Sequence, residues 1–486
     1  MTTVPISDVM RILPEIVLAA FAILIMLFEP LIPAGRKRVL GWLALAGVVA
    51  AGVAFTWAPP TAGEAFYGSI AGDGFSYFFI FLFLTIAALA LLGSMDYLER
   101  DNIQHGEYYA LILFATVGMC FMAASAELIM IFIGLEISSI STYILAGFKR
   151  HDPQSNESAM KYFLLGSFAT AFFLYGIAFV YGLTGSTNLV EVAGDLTHPG
   201  HWSMLTRLAL ILMFIGLGFK VSTVPFQIWT PDVYQGAPAP VTAFLSTGPK
   251  AAAFAVLLRV FLGIAGSSGS AIFWLIWISA ALTMTVGNFA ALRQKNAKRM
   301  LAYSAIAHAG YVLVGLAAAM ALGDSEGSSA VLFYLAAYAF MNVGAFLLIA
   351  HLAGTGEKRT EISDFIGLGR SNPGAAACLT VFMLSLSGIP ATAGFFAKFY
   401  VFRASVHAGL IGLTIIAVLN SVVSVYYYLS LVVTMYMKEG EREAPAPMIP
   451  LPLYSAIAAS LFAIFYLGLY PNHFLLLAHL SSKVLP

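Results

Sequence analysis

The amino-acid sequence predicts an all-α polytopic membrane protein of about fourteen transmembrane helices. Three observations predict it: too few charges for a soluble surface, apolar runs of membrane-spanning length, and basic residues gathered in alternate loops. Of the 486 residues, 60% are hydrophobic and 10% are charged, against about 25% charged in an ordinary soluble domain. Length alone would allow roughly three soluble domains. Runs of about 18 or more apolar residues nevertheless recur from end to end, each enough for a bilayer core of about 30 Å.

Apolar segments fall at 11–30, 39–57, 74–95, 107–125, 127–148, 158–183, 205–226, 240–264, 271–292, 299–321, 328–352, 375–402, 409–437 and 451–470. Several are rich in Phe, Tyr and β-branched residues. In lipid, however, only a helix satisfies every backbone group within one segment, whereas strands need a closed barrel of alternating ~10-residue units. The first segment, Ile12 to Phe28 behind Arg11, is longer than a signal h-region and has no small-residue cleavage site, so it reads as a retained helix.

Loop charges report orientation. The odd-numbered loops hold Arg36, Lys37, Arg38, Arg100, Lys149, Arg150, Arg293, Lys295, Lys298, Arg299, Lys358, Arg359, Arg370, Lys438 and Arg442. The even-numbered loops and both termini hold only Arg11, Arg207, Arg403 and Lys483. Odd loops are therefore expected in the cytoplasm and both termini outside. One missed span would scramble this alternation, so it also supports the count of helices.

Formal net charge is zero, with 24 basic and 24 acidic side chains and no charged tail. Nothing here suits nucleic acid or a polybasic lipid contact. Cys120 and Cys378 both lie in apolar runs, which excludes a disulfide framework or a Cys-ligated cluster. Both read as core residues.

Segments seven and twelve are interrupted. The first reads Gly216-Leu-Gly-Phe-Lys220-Val-Ser-Thr-Val-Pro225 and the second Ser387-Gly-Ile-Pro390-Ala-Thr-Ala-Gly394-Phe-Phe-Ala-Lys398. Proline kinks or breaks a helix, and a break at membrane depth is tolerated only where protein or water satisfies the freed groups. The two lie five segments apart, as expected of inverted repeats in which helices four to eight (107–264) answer helices nine to thirteen (265–437). Residues 1–106 then form helices one to three, and 438–486 carry helix fourteen. Paired broken helices in corresponding positions point to a transport site.

Ionisable residues at bilayer depth carry the chemistry. Each costs about 2.5–3.5 kcal/mol on insertion scales, so it faces the bundle interior and usually has a task. Glu136 lies in segment five ahead of Ser138, Ser139, Ser141 and Thr142; Lys220 precedes the break of segment seven; Lys250 is ten residues into segment eight; Lys398 follows the break of segment twelve. Lysine suits a proton relay because burial lowers its proton affinity while a nearby carboxylate raises it, and Glu136 is a candidate to supply that charge to Lys220. Lys220 and Lys398 can alternatively donate to carbonyls freed by the neighbouring proline. Lys161 and Arg259, near segment ends, are expected to snorkel.

His308 shares a helix face with Ser304 and Tyr311, and relay and structural roles both remain open for it. Tyr334, Tyr338 and Asn342 form a polar stripe at four-residue spacing that either glues helices or lines a wet path, with packing the expected role. His198 and His201 make a poor metal site, and Gly263, Gly266 and Gly269 match no phosphate or dinucleotide loop. No haem, flavin or iron–sulfur ligation pattern appears, so the chain is expected to carry protons or ions and not electrons.

The stretch from Phe219-Lys220 through Pro225-Phe-Gln-Ile-Trp229-Thr-Pro231-Asp232 to Lys250, the Ala302-Tyr303-Ser304 to Tyr311 stretch, and Ser387-Gly-Ile-Pro390 to Lys398 resemble the antiporter-like subunits of respiratory complex I. The resemblance covers nearly the whole chain. It implies a fourteen-helix core in a bacterial inner membrane beside other membrane-arm subunits, with Glu136, Lys220, Lys250 and Lys398 at the family's helix-five, -seven, -eight and -twelve positions. It also implies that this chain holds no cofactor or metal, and that NADH, FMN, iron–sulfur clusters and quinone belong to partner subunits whose redox energy it couples to proton movement. A subunit of a multisubunit sodium/proton antiporter shares this fold and most of these residues. A structural subunit whose buried charges only fix packing is the third reading.

Overall fold

The computed structural model describes residues 5–57, 64–197, 204–264, 270–438 and 448–483; His198, His201, Gly266, Gly269 and Arg442 lie outside them. Its principal helices are α1 (Leu13–Phe28), α2 (Arg38–Trp57), α3 (Gly74–Arg100), α4 (Gly106–Ala124), α5 (Leu128–Ala146), α6 (Pro153–Thr184), α7 (Met204–Val221), α8 (Thr230–Gly236), α9 (Ala239–Leu245), α10 (Gly248–Ile264), α11 (Ala271–Ala291), α12 (Ala297–Leu322), α13 (Ser325–Leu352), α14 (Pro373–Ser387), α15 (Ala393–His407), α16 (Ile411–Met437), α17 (Leu451–Leu469) and α18 (Pro471–Ser482). A two-residue antiparallel ribbon pairs Glu64 with Ala71 and Ala65 with Ile70.

Among the described residues, thirteen helices are long and apolar enough to cross a membrane, α9 and α10 counting as one. The remaining expected segment, 375–402, is present as α14 and α15, two halves each too short to span alone. The reason is local. Gly388 (φ +90°) closes α14 in the left-handed conformation, its amide reaching the carbonyls of Leu384 (3.1 Å) and Ser385 (3.0 Å). Pro390 follows two residues later, where it cannot continue the helix. Segment seven differs from its expected bounds: α7 stops at Val221, and Ser222 (φ +66°) turns the chain before Pro225. Segment eight, read from the sequence as unbroken, is also interrupted, at Ser246–Thr247, directly before Gly248 and Pro249.

Burial sorts the helices. α9 and most of α10 are enclosed and α12 and α13 nearly so, while α1, α6 and α16 leave most of their surface uncovered. That outer surface is apolar, with Leu27, Phe168, Leu419 and Val422 exposed, as a lipid-facing helix requires. Two short backbone bridges repeat along the chain. Glu127, just before α5, pairs with Asn188 after α6, and Asn296, just before α12, pairs with Glu361 after α13.

Arg259 corrects one expectation. It does not snorkel: it is 9% exposed, with Nη2 2.8 Å from Asp73 Oδ1 and 2.7 Å from Ser76 Oγ, Nε 2.8 Å from the Ala123 carbonyl, and the guanidinium over Phe75. Asp73 caps the start of α3, and the planar fork of donors fits this fixed set of acceptors better than water at the interface. Cys120 is buried, Cys378 half-buried, and both are free thiols.

The junction of α14 and α15 is tight enough to test. A Cβ on Gly394 would lie 1.8 Å from the Ser385 carbonyl oxygen, so Gly394→Ala is expected to push the two halves apart at a cost of about 1–3 kcal/mol. A thermal unfolding midpoint in detergent equal to that of the parent chain would show that the two halves are not closely seated.

Candidate functional site

Four elements place Lys220. It occupies the last turn of α7 and is 3% exposed. Its Nζ donates to Ser139 Oγ on α5 (2.8 Å) and Tyr162 OH on α6 (3.2 Å), and it lies 5.5 Å from the ring of Tyr143 and 5.2 Å from that of Tyr162. Trp229 stacks on Tyr162 at 4.5 Å, and its indole Nε1 donates to the Phe219 carbonyl at the end of α7 (3.0 Å). The tryptophan therefore serves the helix end, and the lysine is left to the hydroxyls.

Glu136 stands one turn before Ser139 on the same face of α5. Among the described residues no ion pair within 4.0 Å joins it to Lys220. Its Oε1 is buried without a hydrogen-bond partner, as is Ser138 Oγ. Ser141 and Thr142 do not solvate it either: their hydroxyls donate to the helical carbonyls of Ile137 (2.8 Å) and Ser139 (2.9 Å).

Lys250, on α10, is 3% exposed. Its Nζ donates to the Ala305 carbonyl of α12 (3.0 Å) and lies 5.6 Å from the Tyr234 ring. Lys398, on α15, is 5% exposed. It donates to the Ser387 carbonyl at the end of α14 (2.8 Å) and to Ser421 Oγ (3.0 Å), with its ammonium 5.3 Å from the Tyr311 ring. This lysine does serve a carbonyl freed by the helix break, one of the two roles the sequence left open for it.

His308 lies between them on α12. Its Nδ1 is 2.7 Å from Tyr334 OH and its Nε2 3.1 Å from Tyr428 OH, and Tyr428 also bonds Ser304. Residues 305, 308 and 311 recur every three positions, so one strip of α12 meets first Lys250, then the tyrosine-ringed His308, then Lys398. Nearby, Asn342 Nδ2 donates to Ser246 Oγ (2.7 Å) at the interruption between α9 and α10. Tyr234 OH, Tyr338 OH and Asn342 Oδ1 are buried without protein partners.

None of the three lysines has a carboxylate within ion-pair distance among the described residues, which separates them from Arg259, Lys298 and the half-exposed Lys161. Lys161 keeps its side chain 40% exposed but pairs with Glu157 (2.7 Å) and Asp232 (2.6 Å), and Asp232 also holds Arg299 (2.7 Å). Sequence reasoning missed Glu357, whose carboxylate takes Lys298 Nζ at 2.5 Å. It also missed Glu15, which is 2% exposed inside an otherwise apolar segment. Only a folded contact reveals Glu357, which sits in a loop with no motif.

Glu29, His105 and Glu107 bring three potential metal ligands within 4.8 Å of one another. The Lys37 ammonium already bonds Glu29, so that carboxylate is engaged by a cation of the chain itself.

A family model described as NADH:quinone oxidoreductase/Mrp antiporter, TM, matches residues 125–424. NADH-quinone oxidoreductase subunit N 1 of Solibacter usitatus (strain Ellin6076) is 50% identical over 468 residues, covering 96% of this chain and 95% of that protein. NADH-quinone oxidoreductase subunit N 2 of Koribacter versatilis (strain Ellin345) is 50% identical over 488 residues, covering 99% and 98%. A chain in the structure of respiratory complex I from Thermus thermophilus with bound aureothin superposes with a TM-score of 0.80 at 36% identity, covering 96% and 99%.

The interfacial carboxylates set an acid limit. Burial pushes Asp232 and Glu357 up, but Lys161 and Arg299 around Asp232, and Lys298 and Lys149 around Glu357, outweigh it and hold both below their ordinary values. A depressed carboxylate contributes stability above its ordinary range and loses it as pH falls through the lowered value. Thermal unfolding in detergent is therefore expected to be insensitive to these groups near neutrality and to lose midpoint below about pH 4. Replacing Asp232 by Asn should flatten part of that loss; an unchanged acid limb would contradict it.

Proposed function

The chain belongs to the NADH:quinone oxidoreductase/Mrp antiporter transmembrane family, on the side of its subunit N members, and from that premise we propose that it is the proton-translocating membrane-arm subunit of an NADH:quinone oxidoreductase. Electron transfer from NADH through FMN and iron–sulfur clusters to quinone belongs to partner subunits. This chain moves protons in response. It sits in the bacterial inner membrane, with the basic odd-numbered loops in the cytoplasm and both termini on the periplasmic side, as the loop charges support.

The observation that carries this reading is the set of three buried ammonium groups solvated by neutral acceptors alone. A lysine held by hydroxyls, carbonyls and aromatic faces can give up its proton without leaving a stranded carboxylate, which a lysine in a tight ion pair cannot. Lys220 exchanges with Ser139 and Tyr162, under the influence of Glu136 one turn from Ser139 on α5. Lys250 passes charge along the strip of α12 through His308 to Lys398. The unmatched polar atoms of Tyr234, Tyr338 and Asn342 are the ones bound water would satisfy, completing the connection.

We further propose that 107–264 and 265–437 are inverted repeats. The paired bridges Glu127 to Asn188 and Asn296 to Glu361 support this, since each ties the start of one repeat's second helix to the end of its third.

Lys220→Ala and Glu136→Ala are each expected to lower the protons pumped per NADH oxidised while NADH oxidation by the assembled complex continues. Unchanged pumping in assembled variants would remove both residues from the path. Sodium-driven exchange without NADH, measured in vesicles, would favour the antiporter reading instead.

A further inference from the structure

The loop after α13 brings Glu357 into a buried position where the starts of two helices meet. Its Oε1 accepts from the Ala239 amide at 2.7 Å and from the Tyr97 hydroxyl, and its Oε2 lies 2.5 Å from Lys298 Nζ. Lys298 also donates to the Ala237 carbonyl at 2.7 Å. Ala239 begins α9, which continues through α10 to Lys250. Lys298 lies in the first turn of α12, and seven residues later, about 10 Å along the axis, Ala305 offers the carbonyl that holds Lys250. The Glu357 backbone adopts φ +52°, a left-handed conformation that a non-glycine residue keeps only when its surroundings hold it there. Gly356 before it donates its amide to Asp101 Oδ1 (3.3 Å), and Asp101 binds Lys149 (2.8 Å).

We propose that Glu357, through Lys298, is a positioning residue for Lys250: one carboxylate fastens the start of α9 to the start of α12 and so sets the distance from Lys250 Nζ to the Ala305 carbonyl. Two helices that cross at a buried contact have two free ends, and Glu357 joins both on the same side of Lys250. Neither Tyr97 nor Lys149 links the two helices in this way. The inference rests on Lys250 being the relay group.

In the intact complex reconstituted into vesicles, Glu357→Gln is expected to lower the protons moved per NADH oxidised about twofold or more, with Glu357→Asp recovering part of the loss. In a Lys250→Met background the same Glu357→Gln change is expected to add nothing, because it acts through a group already removed. A buried Lys298 without its carboxylate is strongly destabilising. Should Glu357→Gln fail to assemble, the neutral pair Glu357→Gln with Lys298→Met takes its place, and it is expected to assemble and show the same loss.

An unchanged ratio in an assembled variant, a further loss in the Lys250→Met background, or a neutral pair that fails to assemble would each overturn the positioning role. Lys250→Met alone tests the relay reading separately. An unchanged ratio there removes the relay, while a lowered ratio there beside a normal Glu357→Gln removes only the positioning.

Discussion

Burying an ammonium ion with no carboxylate partner is the constraint around which this bundle is organised. Each such charge costs several kcal/mol to take from water, and the structure offsets it with hydroxyls, carbonyls and aromatic faces. Ser139 and Tyr162 serve Lys220, the Ala305 carbonyl serves Lys250, and the Ser387 carbonyl and Ser421 serve Lys398. At Lys398 the broken helix answers the same need. A carbonyl becomes available to a lysine where the helical ladder stops, and α14 stops at Ser387 because Gly388 and Pro390 end it. Where a lysine has only to hold elements together, as Lys298 and Lys161 do, the structure supplies a carboxylate.

α12 organises the second half of the site. It is nearly fully enclosed, and its residues 305, 308 and 311 face Lys250, two tyrosine hydroxyls and Lys398 in turn. Neighbouring contacts on that strip are about 4.5 Å apart along the helix axis. His308, with both ring nitrogens engaged by Tyr334 and Tyr428, lies between the two lysine contacts on that strip.

The fold class was legible because the bilayer demands it: run length and loop charge depend on the solvent and need no tertiary detail. The buried lysines were legible for the same reason, as each is an exception to an apolar rule. Partners were not. Nothing local marks Ser139 as the acceptor for Lys220, or Trp229 as the group that relieves Lys220 of the helix end. Arg259 was misread because Asp73 lies 186 residues away in sequence, and Glu357 was missed because a loop glutamate looks solvated until two helices close over it. The interruption of segment eight at Ser246–Thr247 was legible and overlooked, since Gly248-Pro249 follows it directly in the sequence.

The most direct test replaces Lys220, Lys250 and Lys398 together by methionine, close in size and without charge, in the whole complex reconstituted into vesicles, and measures protons moved per NADH oxidised. If these ammonium groups carry protons, the complex assembles, oxidises NADH and moves fewer protons for each one. If they only fix helix packing, methionine fills their places and the ratio stays at its normal value, which would contradict a proton relay through the three lysines.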